Sequence, residues 1–428
     1  MQWNRNLFLA SLLALAAACG KDEPKAPQAE EPATEPAAER SAPEAKSSSK
    51  GLLIALARFA VEDGRATAKP LPARAEFLYQ EDGDWKLAGF EDEDSNVFHK
   101  VMAFEDSLLT FGGMAAAVKQ WRLVDGEFKA ETLWTEDFGG RFNRMRDAEI
   151  GDLDGNGKPV LAIATHDQGI VALLRDIGKS NQVEKIDAET NTFVHEIEIG
   201  DLDGDGTLEV YATPSEPNRL GVEQSGKVVR YVPKRGEGRV VVADLGMRHA
   251  KEIFVGDVDG DGKDELYVAV EAKTSGSGAS LTIDEPVEIR RYRAGTDPKK
   301  GEVVANIPDR FTRFITMGTP VAGGPKVLVA AAFKSGLWLL TPEADGTFKS
   351  ENIDRDSSGF EHAAIFADLD GDGVDELYVA ADDQNQIRRY VWRDGRPVRE
   401  VIFEREGPKN ATMTWNLMPA DVSLVVPR

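Results

Sequence analysis

Apolar and polar positions alternate through most of the chain after residue 50, in a phrase that recurs. A short apolar strand is followed by a burst of Asp and Gly, and then by a second apolar strand. The phrase reads EIGDLDGNGKPVLAIA at 149–164, EIGDLDGDGTLEVYAT at 198–213, FVGDVDGDGKDELYVA at 254–269 and IFADLDGDGVDELYVA at 365–380. Runs of this kind, rich in Val, Ile and Tyr and bounded by Asp-Gly, predict β-strands. The leading residues Asp152, Asp201, Asp257 and Asp368 are 49, 56 and 111 residues apart, so the last interval hides one more copy. It is ITMGTPVAGGPKVLVAA at 315–331, which keeps both strands and has lost the loop aspartates. Loop-less copies at 101–113 and 413–428 bring the strand pairs to seven.

Hairpins count the repeats independently. The clearest lie at 117–134, 335–353 and 386–403, weaker ones at 171–186, 227–242 and 288–307, and several carry the Asp-Gly of a tight turn. The seventh, AEFLYQEDGDWKLAGF at 75–90, precedes the first strand pair, while the last pair has no hairpin after it. Together they complete one unit. The expected fold is therefore all-β, a seven-bladed β-propeller of four-stranded antiparallel blades over 51–428, closed by N- and C-terminal strands in one blade. Such closure removes free sheet edges at the seam. The runs GLLIALARF at 51–59 and VSLVV at 422–426 both suit one strand of that blade, and the pattern leaves the choice open.

The N-terminus has a different character. Leu7 to Ala18 is an apolar run of 12 residues after Arg5, short of the roughly 20 that span a bilayer as a helix. It has the shape of a signal peptide, 1–18, and ends in LAAACG, which resembles a bacterial lipobox with Cys19 as the lipidated residue. Gly20 after it points to the outer membrane. Residues 19–50 are dominated by Ala, Pro and charge, the composition of a disordered tether. Across the 428 residues, 51 Lys and Arg face 74 Asp and Glu, a net charge of −23 that excludes nucleic acid as a main partner. Cys19 is the only cysteine, which excludes an intramolecular disulfide and a thiolate metal cluster.

The Asp-rich loops are candidate ion sites. Asp257, Asp259, Asp261 and Glu265 stand at loop positions 1, 3, 5 and 9, and Lys263 at position 7 offers a backbone carbonyl. The same pattern gives Asp201, Asp203, Asp205, Thr207 and Glu209, then Asp368, Asp370, Asp372, Val374 and Glu376. The first copy has Asp152, Asp154, Asn156 and Lys158 but Val160 at position 9, so its site is weaker. Calcium takes six to eight oxygens at about 2.3–2.6 Å, and four carboxylates within nine residues repel one another without a cation. Up to four Ca2+ sites are expected, and magnesium suits them less. An EF-hand is excluded: position 12 is Ile163, Ala212, Val268 or Val379, and the flanks read as strands.

These loops make the chain resemble the FG-GAP/VCBS repeat family, the calcium-loop propellers of integrin α subunits and many secreted bacterial proteins. The resemblance covers 51–428, strongest at the four loops, and implies that ions stabilise the blades and that ligands bind on a propeller surface. The Phe-Gly and Gly-Ala-Pro signatures of the integrin version are absent, so no integrin-like partner is implied.

The five histidines are the ordinary acid–base candidates. His166 reads as a solvated loop residue. His195 and His362 stand six residues before a loop's first Asp, as does Arg146; His249 stands eight before, His99 seven before Asp106, and Arg313 holds a similar place in the loop-less copy. Six residues of strand span about 20 Å, which puts this basic ring on the face opposite the acidic loops. On an acidic protein such a ring is a candidate site for an anionic ligand, for example a uronate-bearing glycan. No nucleophile elbow, P-loop, HExxH or dinucleotide fingerprint is present. The expected function is non-enzymatic: a calcium-stabilised binding propeller, membrane-anchored through lipid, with a glycan or protein ligand. A lyase acting on uronate polymers and a scaffold of envelope assembly are the alternatives.

Overall fold

The computed structural model describes residues 49–426 other than 140–143, 180–181, 217–223 and 277–279. Cys19 and the apolar run before it lie outside the described residues. The fold is a seven-bladed β-propeller. Blade 1 is built from Phe98–Phe104, Ser107–Gly112, Ala116–Val124 and Glu127–Glu136, each strand pairing antiparallel with the next. Blades 2 to 6 repeat the order, with innermost strands Met145–Gly151, Phe193–Gly200, Ala250–Gly256, Thr312–Gly318 and Ala364–Ala367. Blade 4 adds a small hairpin, Lys273–Ser275 with Thr282–Glu285.

Blade 7 joins the two ends of the chain. Its order outward is Thr412–Asp421, Lys50–Glu62, Ala73–Glu81 and Asp84–Asp92. The N-terminal run thus takes the contested strand, one residue earlier than expected, while Val422–Leu424 forms a 3-10 turn behind Asp421, whose carboxylate accepts from Ser423 N at 2.7 Å. The physical reason is burial on both sides. Leu52, Ile54 and Leu56 enter the core shared with blade 6, Leu53 and Ala55 the core shared with blade 1. That strand must be apolar at every position, and the C-terminal run carries Ser423.

Innermost strands touch their counterparts on either side all the way round, and an apolar core fills each of the seven gaps between blades. Where these strands converge there is no room for some side chains. A Cβ on Gly200 would lie 2.2 Å from Val255 Cγ1, and one on Gly318 2.3 Å from Phe366 Cγ. Blades 2 to 5 carry glycine just before the loop, at Gly151, Gly200, Gly256 and Gly318, and blade 6 the small Ala367.

Gly318→Ala should destabilise the propeller by about 1–3 kcal/mol, the usual cost of overpacking, because Phe366 belongs to the core of blades 5 and 6 and cannot retreat. Urea melts of the two proteins check this; an unchanged midpoint contradicts it.

Candidate functional site

Two polar regions lie at opposite ends of the innermost strands. At one end are the acidic loops. Asp201, Asp203 and Asp205 bring one oxygen each within 4.8 Å of one another, and so do Asp257, Asp259, Asp261 and Asp368, Asp370, Asp372. The first Asp of each loop is fixed by backbone donors: Asp201 by Asp205 N and Gly206 N (3.0 and 2.7 Å), Asp368 by Gly371 N and Gly373 N (2.7 and 3.0 Å). Gly260 and Gly262, at φ 77° and 90°, give the coil its left-handed steps. The position-7 residues Thr207, Lys263 and Val374 each donate their N–H to the position-5 aspartate at 2.8–2.9 Å. Glu209, Glu265 and Glu376 close the loops from buried sites. Burial first raises Glu265 and Glu376 to about 7. A tyrosine two residues on, Tyr211, Tyr267 or Tyr378, donates to each of these glutamates. The Glu-x-Tyr spacing at 209–211, 265–267 and 376–378 is the sequence signal for this pairing. The donor set, hard oxygens from a tight loop, fits calcium.

The blade 2 loop does not share the set. Val160 is part of the core, and Ala162 stands where the tyrosine would be. Arg175 instead clamps Asp154 through two bonds of 2.7 and 3.0 Å, and holds its carboxyl below the usual range. Asp152 still accepts from Asn156 N and Gly157 N, and Lys158 N donates to Asn156 Oδ1. Guanidinium groups also meet carboxylates of other loops, Arg293 at Asp259 (2.7 Å) and Arg230 at Glu209 (2.8 Å), so the blade 2 loop is set apart by the missing glutamate and tyrosine.

At the opposite end a β-bulge interrupts the innermost strand of six blades. Register skips at His99, Arg146, Arg313 and Trp415, and the pairs His195–Glu196 and Lys251–Glu252 face a single residue of the next strand. Thr213 Oγ1 accepts from both His195 N and Glu196 N (3.3 and 3.0 Å), which pins the bulge of blade 3. Bulges re-aim side chains, and here they turn one residue per blade toward the common axis. His99, His195, Lys251, Arg313 and Trp415 are buried, and Arg146 is partly so. Arg146 lies over the Trp415 ring at 5.0 Å and 3.8 Å from Glu361; Arg313 lies over Phe311 at 4.2 Å and pairs with Glu271. His249 Nε2 is 3.0 Å from Glu271 Oε2.

Beneath this mouth the charge changes sign. Lys100 Nζ reaches Asp147 at 3.1 Å and also Glu149. Burial alone would lower Lys100, but Asp147 and Glu149 outweigh it and hold it well above the lysine range. Burial, then neighbouring carboxylates, push Glu196, Glu198 and Glu252 well up.

Of the expected ring, His99, Arg146, His195, His249 and Arg313 gather at the mouth. His362 does not: at φ 55° it turns away, its Nε2 at 2.7 Å from Ser357 Oγ and Nδ1 at 2.6 Å from Ala332 O, and the preceding Glu361 reaches the mouth instead. His166, expected in solvent, is buried with Nδ1 3.0 Å from Asp167 and its ring 3.9 Å from Phe193. Lys251, Trp415, Glu271 and Glu361 went unrecognised. The first two stand six residues before Asp257 and Asp421, the spacing that singled out Arg146 and His195.

Several polar atoms of the mouth are buried without a hydrogen-bond partner: both ring nitrogens of His99, Nε of Arg146 and of Arg313, and Nε1 of Trp415. Burial first, then Arg144 and Arg146, hold the His99 imidazole well below its usual value.

Solved structures share this architecture. A candidate 6-phosphogluconolactonase from Bacteroides fragilis is 15% identical with TM-score 0.53, covering 87% of this chain and 98% of its own. The periplasmic gluconolactonase of Pseudomonas aeruginosa is 13% identical with TM-score 0.51, over 87% and 99%. A second candidate 6-phosphogluconolactonase, from Bacteroides uniformis, is 12% identical with TM-score 0.52, over 86% and 99%. At such identity the likeness is one of fold. No protein-family profile matches the chain, and no curated protein matches its sequence.

His362 gives a pH test. Burial lowers its folded pKa to about 4, against 6.5 for an unburied imidazole. Its contribution is fully present above pH 6.5 and falls by about 1.4 kcal/mol per pH unit as acid protonates the unfolded chain first. The stability advantage of wild type over His362→Gln should therefore shrink between pH 7 and pH 5; a constant difference in melting temperature contradicts it.

Proposed function

We propose that this chain is a calcium-stabilised binding propeller, carried on a lipid anchor at Cys19 in the bacterial outer membrane, whose bulge-lined mouth takes an anionic glycan. The observation that carries the reading is the set of buried nitrogens without a hydrogen-bond partner at His99, Arg146, Arg313 and Trp415. Buried donors left unmade cost about 1–3 kcal/mol each, and an oxyanion or ring hydroxyl arriving at the mouth would satisfy several together. The FG-GAP/VCBS resemblance of the loops supports the calcium part, as do the three converging aspartate triads.

Oligogalacturonate should bind the chain, and Arg146→Gln should weaken that binding roughly tenfold, about 1.4 kcal/mol, with melting temperature retained. Equal binding of a neutral glucan, or no effect of the substitution, contradicts the reading. Cys19→Ser should release the chain from membranes into the soluble fraction; continued sedimentation with membranes removes the anchor.

Ions that bind folded loops and hardly the unfolded chain add roughly 2.7 kcal/mol per site at 100-fold excess over Kd. EGTA should therefore lower the melting temperature substantially. Asp259→Ala and Asp370→Ala should each reproduce part of the loss, whereas Asp154→Ala should do less, because Val160 leaves its loop without the closing glutamate. A melting curve indifferent to EGTA removes the calcium assignment.

A second reading, an enzyme opening a lactone or cleaving a uronate polymer, draws on the names carried by the structural neighbours and on the His249–Glu271 pair at 3.0 Å in the mouth. Loss of a gluconolactone substrate, or release of unsaturated uronate, would select it.

A further inference from the structure

The innermost strands carry two lysines, Lys100 and Lys251, set in different surroundings. Lys100 is caged by carboxylates. Lys251, on the bulge of blade 4 and also buried, shares one carboxylate, Glu271, with Arg313 and His249. Its nitrogen is 3.8 Å from Glu271 Oε1, beyond hydrogen-bond reach, and that carboxylate is already engaged by Arg313 and His249. Burial, then Arg313, with Arg146 adding to it against Glu271 and Glu361, brings the Lys251 ammonium down to about 7. An amine desolvated beside other cations is an activated nucleophile.

We propose that the Lys251 amine forms a reversible imine with an anionic carbonyl compound, an aldehyde or ketone bearing a carboxylate or phosphate, whose anionic group is held by Arg146 and Arg313. The inference rests on the reading of the mouth as an anion site. The amine nitrogen adds to the carbonyl carbon. The carbonyl oxygen then leaves as water with the two amine protons, so the step needs no oxidant or reductant. Uronates in their open-chain form belong to this class, since they carry a carboxylate and an aldehyde on one short chain.

The test uses the full chain with pyridoxal 5′-phosphate and, separately, with uncharged-tail pyridoxal, each adduct trapped with borohydride and mapped by peptide mass spectrometry. Near neutral pH the phosphate form should label Lys251 roughly tenfold faster than the exposed Lys263 and Lys299, because at pH 7 an ordinary lysine holds about a thousandfold less of its amine neutral. Inorganic phosphate should slow that labelling, and Lys251→Arg, which keeps the charge, should abolish the adduct. In the wild type the labelling should reach half its maximum near pH 7, set by Arg146, Arg313, Glu271, Glu361, His195 and His249 around the amine; a midpoint above about pH 10 overturns the proposal whether or not the variant folds. Label spread evenly over exposed lysines overturns it too. Equal labelling of Lys251 by both aldehydes, indifferent to phosphate, overturns the anion-site reading and with it the anionic substrate proposed here.

Discussion

Crowding at a single axis governs this molecule. Seven strands converge there, and each must satisfy its ladder on one edge while its side chains share a narrow space with six others. At the acidic end the crowding is relieved by removing side chains, at Gly200 and Gly318 among others. At the mouth it is relieved by breaking register. A bulge rotates one residue out of the pleat in six of the blades, and the residues so displaced are the chemically interesting ones: His99, Arg146, His195, Lys251, Arg313 and Trp415.

Electrostatics follows from the same geometry. Cations at the mouth sit above carboxylates a few residues deeper in the strands, and Lys100 ties Asp147 to Glu149 between them. Although burial opposes it, Arg313, Lys251 and His249 keep Glu271 well below the usual carboxylate range. The mouth is thus partly self-neutralised on the side of blades 4 to 6. Its nitrogens without a hydrogen-bond partner are concentrated at His99, Arg146 and Trp415, in blades 1, 2 and 7.

The blade count and the closing blade were legible because repeats and turns are local signals. The choice between Gly51–Phe59 and Val422–Val426 was not, since both are apolar and only the two flanking cores distinguish them. The loop carboxylates were legible to the residue, yet the Arg175 clamp on Asp154 joins residues 21 apart in sequence and leaves no mark in the motif. At the mouth, spacing found Arg146, His195 and Arg313. It chose His249 where Lys251 holds the equivalent place, and it failed at His362, where one left-handed residue exchanges the roles of neighbours. The fate of His166 depended on Phe193 and His195 in the next blade, which no local pattern encodes.

The described chain enters the fold beside the acidic loops: Lys50 pairs with Asp421 and its ammonium lies 3.4 Å from Asp368 O, so the N-terminal strand starts on the face opposite the mouth. That strand is held along both edges, by Thr412–Asp421 and by Ala73–Glu81. A force applied between Lys50 and the mouth would therefore run parallel to the strands. It would load the two ladders in shear, where many hydrogen bonds must yield together, rather than peel them one at a time. Closing the ring with an N-terminal strand paired on both edges thus sets two ladders against a load along that strand.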